Sequence, residues 1–394
     1  MHVLLLGVGL QGRAALHDLV TCGQVDRILA ADLDFDALRR HCAEQGYGDR
    51  VRCEPLDACD LARAEALMKA GPSVVLEFLP AAFGAPLATL AVANGLSFVN
   101  TMYATEAIRA LHPRALAQGV TVLPEFGMDP GLDLAFLGQA VRSLDTVEEI
   151  WSYGAGFPEP AAADNALRYK VTWTIDGVLK SYYRPGRIIR DGREVAFSGA
   201  EMFRPDLLHT VELEGLGVLE AFPNGDALAY AAPLELDPAR LSHMGRFVLR
   251  WPGHCAFWKA LADLHLLDEG DLDVDGRPVN RRRFLAASLE PCLQYRPHER
   301  DVAVIRVEAR GLKDGRKTRV LITCIDRRDL RTGLTAMSRT VGFTASIGAQ
   351  MIGSGALARR GVLCPARDVP FEPLVRELGK RRIEVVRAVE PWRG

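Results

Sequence analysis

The sequence predicts an α/β protein: a Rossmann-type doubly wound parallel sheet domain, followed by a second α+β domain built on a mixed sheet. Three observations carry this. The chain opens on MHVLLLGVGLQGRAALHDLV, where three glycines separate an apolar run from a helix-like stretch. Short apolar runs then alternate with helical segments as far as residue 124, the pattern of a parallel sheet with helical crossovers. Beyond residue 147 longer alternating segments take over, as expected of a sheet with one solvated face.

In chain order, residues 2–6 read as a buried strand, 13–20 as a helix, and 27–31 as a strand ending at Asp32. Helices over 37–44 and 61–68, strands over 51–53 and 73–78, a helix over 86–94, a strand over 97–100, a helix over 108–118 and a strand over 120–124 continue the alternation. The second pattern gives strands over 147–153, 167–175, 187–190, 195–197, 218–222, 246–249, 302–309 and 319–325. GHCAFWKALADLHLL and VGFTASIGAQMIGSG read as helices. The expected division is a dinucleotide-binding domain at 1–125, a substrate-binding and dimerisation domain at 126–335, and a C-terminal helix with tail at 336–394 that returns to the first domain.

The glycines have distinct tasks in a dinucleotide cradle. Gly7 permits the tight turn, Gly9 lets a pyrophosphate approach the backbone, and Gly12 lets the helix pack closely on the strand. The helix N-terminus offers unpaired N–H groups to the phosphates. Asp32 follows Gly12 by twenty residues at the end of the second strand, where a carboxylate accepts both ribose hydroxyls. Asp34 adds negative charge and no arginine follows Asp32 directly, so the expected cofactor is NAD rather than NADP. Leu79 and Pro80 follow the fourth strand at the carboxyl edge of the sheet, where cofactors sit, and join the cofactor-binding set.

Composition narrows the partners. The 48 Lys+Arg nearly balance 50 Asp+Glu, which gives no field suited to a nucleic acid. No apolar run reaches the roughly 18 residues that cross a bilayer, so no membrane partner is expected. The first residues lack the marks of a signal peptide, and eight scattered cysteines with no C-x-x-C pair fit a reducing, cytoplasmic setting. No metal is expected, because the nine histidines are dispersed without H-E-x-x-H or a tight carboxylate cluster.

Polar and turn-forming residues gather after the fifth and sixth strands: Asn100, Thr101 and Tyr103, then Glu125, Gly127, Asp129, Pro130 and Gly131. Asp129 admits two readings, the N-cap of an apolar helix or a catalytic carboxylate, and the two are compatible.

Several blocks in one order identify a resemblance: GVGLQG, EFGMDPG (125–131), YKVTW (169–173), YYRPGRIIRDG (182–192), LRWPGH (249–254) and MSRTVGFTA (337–345). Over nearly its whole length the chain resembles the saccharopine dehydrogenase family, and most closely its lysine 6-dehydrogenase branch. The resemblance implies a nicotinamide-dependent oxidoreductase acting on a carbon–nitrogen bond of an amino acid, with a nucleotide domain completed by the C-terminal helix and a homodimer built on the central sheet. It places suspected active-site groups on Tyr103 and Asp129. The lysine 6-dehydrogenase branch often lacks that aspartate, so the chain mixes features of two branches.

Amine oxidation sends a hydride from carbon and a proton from nitrogen. Asp129 is suited to favouring the iminium charge, Tyr103 to orienting water or the amine, and His254 to proton exchange near neutrality or to holding its turn through a backbone bond. Arg184, Arg187 and Lys170 are candidate partners for a substrate carboxylate, with a solvated surface role as the alternative; Arg339 is a candidate cofactor neighbour. The leading expectation is oxidative deamination of a side-chain amine of an amino acid or diamine, as in lysine 6-dehydrogenase. The alternatives are a saccharopine-type or related opine oxidoreductase acting on a secondary amine, and a non-catalytic dinucleotide-binding scaffold.

Overall fold

The structure is a computed structural model that describes residues 1–392. The chain divides into two compact units, Met1–Gly138 with Ser338–Glu384, and Gln139–Met337 with Val385–Gly394. Strands are numbered in chain order.

The first unit holds a seven-stranded sheet of β1 (His2–Leu6), β2 (Arg27–Asp32), β3 (Val51–Pro55), β4 (Val74–Glu77), β5 (Ser97–Asn100), β6 (Thr121–Leu123) and β17 (Gly361–Val362), in the order β17-β6-β5-β4-β1-β2-β3. Every pairing is parallel. Strand order reverses at β1, which places the carboxyl ends of β1 and β4 at the switch point where open α/β sheets bind ligands. The strands are short apolar runs because both faces are covered: Val3 to Leu6 and Val74 to Leu76 are buried. Asp34 caps the helix Phe35–Glu44 by accepting the Ala37 N–H at 2.9 Å, and Asp60 caps Leu61–Met68 through Arg63 in the same way. The stretch 108–118 forms two short helices, Glu106–Arg109 and His112–Ala117, rather than one. Pro113 lacks an N–H and opens the second of them, where its missing donor costs nothing. The helix Thr344–Gly353 and strand β17 also belong to this unit, with Gly361 and Val362 paired to β6.

The second unit is built on a mixed nine-stranded sheet. Its strands are β7 (Thr146–Pro158), β8 (Gly186–Arg190), β9 (Arg193–Phe197), β10 (His209–Leu213), β11 (Gly217–Pro223), β12 (His243–Arg250), β15 (Asp301–Lys313), β16 (Arg316–Arg327) and β18 (Val385–Pro391). The main path runs β10-β11-β12-β7-β15-β16-β18, with β8 and β9 extending from β12. β12 and β7 are parallel, whereas β7 and β15 are antiparallel. β15 and β16 form a two-residue hairpin on Asp314 and Gly315, whose φ values of 50° and 71° match the primed turn that an Asp-Gly pair favours. A separate hairpin pairs β13 (Asp271–Val274) with β14 (Arg277–Asn280).

Two expectations change here. Residues 167–175 are not a strand: they form a loop that Thr174 ends by capping the helix Ile175–Ser181. The alternation in YKVTW reflects a loop in which Tyr169, Lys170 and Thr172 are all buried, not two faces of a sheet. The tail also contributes a strand, since β18 pairs with β16 from Thr318 to Cys324. No helix among the described residues is long and apolar enough to cross a membrane.

Candidate functional site

In the first unit the glycine turn connects β1 to the helix Leu10–Thr21. Gly7 has φ +84° and donates its N–H to the Ala31 carbonyl at 2.9 Å, which ties the turn to the end of β2. A Cβ on Gly12 would lie 2.0 Å from the Gly7 carbonyl oxygen, so helix and turn meet backbone to backbone. A Cβ on Gly9 would meet no heavy atom within 4 Å. Gly9 is therefore required by nothing inside the protein, and it opens the approach to the helix N-terminus. That terminus has no side-chain cap and no acidic residue in its first turn. These features fit a dinucleotide pyrophosphate.

Asp32 is half-buried at the end of β2. Its Oδ2 accepts the Val8 N–H at 2.6 Å and its Oδ1 the Asp34 N–H at 2.9 Å, which fixes the carboxylate beside the glycine turn. The next basic residue along the chain, Arg39, lies 5.7 Å above the Phe35 ring. Leu79 packs partly into the core below Gly7, and Pro80 is exposed beside it.

Next along the sheet, β4 ends in Glu77, which sequence reasoning passed over. It is fully buried, with Oε1 accepting the Leu79 N–H and Oε2 accepting Asn100 Nδ2–H at 3.0 Å. Burial outweighs both bonds and pushes its pKa up to about 7. A carboxyl inside the apolar run VVLEF was the available signal.

Tyr103 follows β5 and is half-buried. After β6 the chain folds into a tight loop in which Gly127 N–H donates to the Pro130 carbonyl at 2.9 Å and Leu132 N–H to the Gly127 carbonyl at 3.0 Å. Asp129 is half-buried in this loop, before a cis bond to Pro130. The helix begins at Leu132, three residues on, and the carboxylate that accepts the Gly131 N–H at 2.7 Å is that of Asp133. Asp133 thus satisfies a backbone N–H at the helix start from inside the first turn.

The second unit holds the other candidates. Lys170 is buried, with Nζ 2.7 Å from Glu299 and 2.8 Å from Asp164, so its charge is already neutralised from two sides. Arg187 is exposed on β8 and paired with Asp226 at 2.7 Å and Glu194 at 3.3 Å. Neither is a ready receptor for a substrate carboxylate, because each would first have to release a protein one. Arg184 is half-buried, its Cδ 3.3 Å from where a Cβ on Gly225 would stand.

His254 opens the helix His254–Asp263 and is buried among Tyr169, Tyr182, Phe222 and Trp258. Its Nε2 lies 2.9 Å from Tyr182 Oη. Burial, reinforced by the nearby Arg250 charge, holds its pKa well below the usual histidine value. Burial thus disfavours the charged imidazole, which weighs against the proton exchange expected of His254 near neutrality. Tyr182 and Arg250, to which it is linked, were not singled out from sequence. Arg339, in the first unit, is buried; it donates to the Arg381 carbonyl at 3.1 Å and covers the Phe343 ring.

Comparison with known proteins covers both units. The family model described as saccharopine dehydrogenase NADP binding domain matches residues 3–123, and the one described as saccharopine dehydrogenase C-terminal domain matches residues 127–383. Saccharopine dehydrogenase [NADP(+), L-glutamate-forming] of Pyricularia oryzae is 23% identical over 96% of this chain and 96% of its own length, and its Saccharomyces cerevisiae counterpart gives the same figures. The alpha-aminoadipic semialdehyde synthase of Arabidopsis thaliana is 24% identical over 84% of this chain, which spans only 38% of that longer protein. Among solved structures, apo saccharopine dehydrogenase (L-Glu forming) from Saccharomyces cerevisiae superposes with a TM-score of 0.86 at 21% identity, covering 99% of both chains.

Proposed function

Since the chain belongs to the saccharopine dehydrogenase family and is a nicotinamide-dependent dehydrogenase, we propose that it oxidises the carbon–nitrogen bond of a secondary amine joining two amino-acid units. The observation that carries this reading is the full-length similarity to two proteins named as L-glutamate-forming saccharopine dehydrogenases. Asp129 in its D-P-G setting points the same way, because the lysine 6-dehydrogenase branch often lacks that aspartate. Oxidative deamination of lysine, the leading expectation from sequence, therefore gives way to the secondary-amine alternative.

A nicotinamide cofactor, when bound, would supply the hydride acceptor. On the protein side, the N-terminus beside Gly9 would hold its pyrophosphate and Asp32 would receive its ribose hydroxyls. Asp129 favours the positive charge that develops on nitrogen as hydride leaves carbon, and Tyr103 orients the amine or the attacking water. A proton leaves nitrogen, water adds to the imine carbon, and the C–N bond breaks to give an aldehyde and a primary amine.

The carboxylates of Asp32 and Asp34, with Arg39 engaged on Phe35, favour NAD over NADP in this chain, although the relatives are named for NADP. Two ribose bonds to a charged acceptor contribute about 1.5–3 kcal/mol each, so Asp32→Ala is expected to weaken NAD binding by at least about tenfold and to narrow its advantage over NADP. Steady-state rates with saccharopine, L-lysine and related diamines, each with NAD and with NADP, test the whole reading. Saccharopine with NAD should be the productive pair; oxidation of lysine but not saccharopine would reverse the assignment.

A further inference from the structure

We propose that Cys42 and Cys53 are a redox modification site: hydrogen peroxide joins them in a reversible disulfide that latches the helix Phe35–Glu44 to strand β3 and leaves the dinucleotide cradle open.

The two cysteines come from neighbouring elements of the first unit. Cys42 lies in the last turn of the helix and is buried, whereas Cys53 is the middle residue of β3 and is half-buried. Both are free thiols, and their sulfurs are 3.6 Å apart. A disulfide is about 2.05 Å long, so the sulfurs have about 1.5 Å to travel. The connection between helix and strand can supply that movement. Gly46 and Gly48 turn the chain with φ 65° and 60°, and a Cβ on either would meet no heavy atom within 4 Å, so neither is wedged against the core. Tyr47 between them is buried and donates its N–H to the Cys42 carbonyl at 3.1 Å, which makes this segment move with the helix end.

The pair is asymmetric, as a peroxide-reactive pair needs to be. β3 is the outermost strand of its sheet, and Cys53 is the more exposed of the two sulfurs. Burial, reinforced by the neighbouring Cys53 sulfur, pushes the Cys42 thiol up to about 12, so Cys42 keeps its proton near neutrality and the attacking sulfur is that of Cys53. The Cys53 thiolate attacks one peroxide oxygen and the O–O bond breaks, which leaves a Cys53 sulfenic acid and, with the proton the thiol gave up, one water. The Cys42 sulfur then attacks the Cys53 sulfur. The S–O bond breaks, and the departing hydroxide takes the Cys42 proton to become a second water. Two thiols are oxidised by two electrons in all, and one peroxide is reduced to two waters. A dithiol reverses the bond by exchange.

The bond would close a span of 11 residues that is already tied to the first helix and the turn after it, since Arg50 donates to the Val20 carbonyl at 2.7 Å and to the Val25 carbonyl at 2.6 Å. Cross-linking this span restricts the unfolded chain and stabilises the unit. The cradle lies at the other end of the same elements. Asp34 caps the start of the helix, eight residues before Cys42 and about 12 Å away along the axis. On β3 the residue that faces Asp32 is Pro55, not Cys53. The latched protein therefore keeps its NAD site.

The test treats the purified full chain with hydrogen peroxide, blocks the remaining thiols by alkylation and maps tryptic peptides by mass spectrometry. Cys42 falls on residues 41–50 and Cys53 on residues 53–63, where fragment ions must separate it from Cys59. The expected result is a Cys42–Cys53 bridge that dithiothreitol returns to two thiols. The oxidised protein should melt about 5 °C higher than the reduced one and bind NAD with the same affinity. C42A should stop at a Cys53 sulfenic acid that dimedone captures, and C53A should yield no capture at Cys42. If either variant fails to fold, the peptide map of the parent decides. Absence of the bridge, a bridge to Cys59 in its place, dimedone capture at Cys42 in folded C53A, or NAD affinity that falls on oxidation and returns with dithiothreitol overturns the proposal.

Discussion

Glu77 and Asp129 present the same functional group in opposite settings. Asp129 is half-buried in the loop after β6, three residues before the helix begins, while Asp133 accepts the N–H of Gly131 at the helix start. Asp129→Asn should therefore fold and bind NAD as the parent does while turnover falls about 10²-fold, measured as kcat on the productive amine with melting as control. Glu77 is sealed below the Leu79 turn. Its folded pKa of about 7 lies above the unfolded value near 4.5, so between these pH values the native state holds more protons than the unfolded chain. Stability from this group is full below about pH 4.5 and is lost as pH rises through 7, a swing of about 3 kcal/mol. Glu77→Gln removes the swing, and its melting temperature relative to the parent should rise between pH 5 and pH 8; a constant difference would show that Glu77 titrates normally. At this scale the glycines and Asp32 were legible because fixed spacing exposes them. Lys170 and Arg250 were not, since whether a basic residue is neutralised depends on partners such as Glu299, far along the chain.

Among elements, the first sheet was legible almost strand by strand, because its central runs β1, β4 and β5 are apolar and buried almost throughout and helical segments alternate with them. The stretch 167–175 misled for a physical reason: buried polar groups satisfied by ion pairs imitate the alternation of a strand. β17 and β18 escaped notice because a two-residue strand and an exposed edge strand leave little periodicity. The glycine turn offers a test of how element packing and cofactor binding separate. Gly12→Ala drives a methyl into the Gly7 carbonyl and should lower the melting temperature, a cost of about 1–3 kcal/mol. Gly9→Ala meets open space in the protein, so its melting temperature should match the parent while NAD affinity falls at least about tenfold. Thermal melts of both variants with and without NAD distinguish the two roles; equal melting losses would show that Gly9 also supports the fold.

At the scale of the whole molecule, the alternation of elements announced a dinucleotide unit followed by a mixed-sheet unit, and both family models fall on that order. Substrate choice was less legible, since YKVTW and LRWPGH occupy a buried loop and a strand end whose polar contacts depend on the folded surroundings. The account's central claim is the cleavage of a secondary amine, and product stoichiometry tests it most directly. Purified protein is incubated with saccharopine and NAD, and reduced cofactor, L-glutamate and aldehyde are quantified together. The account predicts one L-glutamate and one aldehyde for each cofactor reduced, whereas cofactor reduction on lysine with release of ammonia, and no L-glutamate from saccharopine, would contradict it.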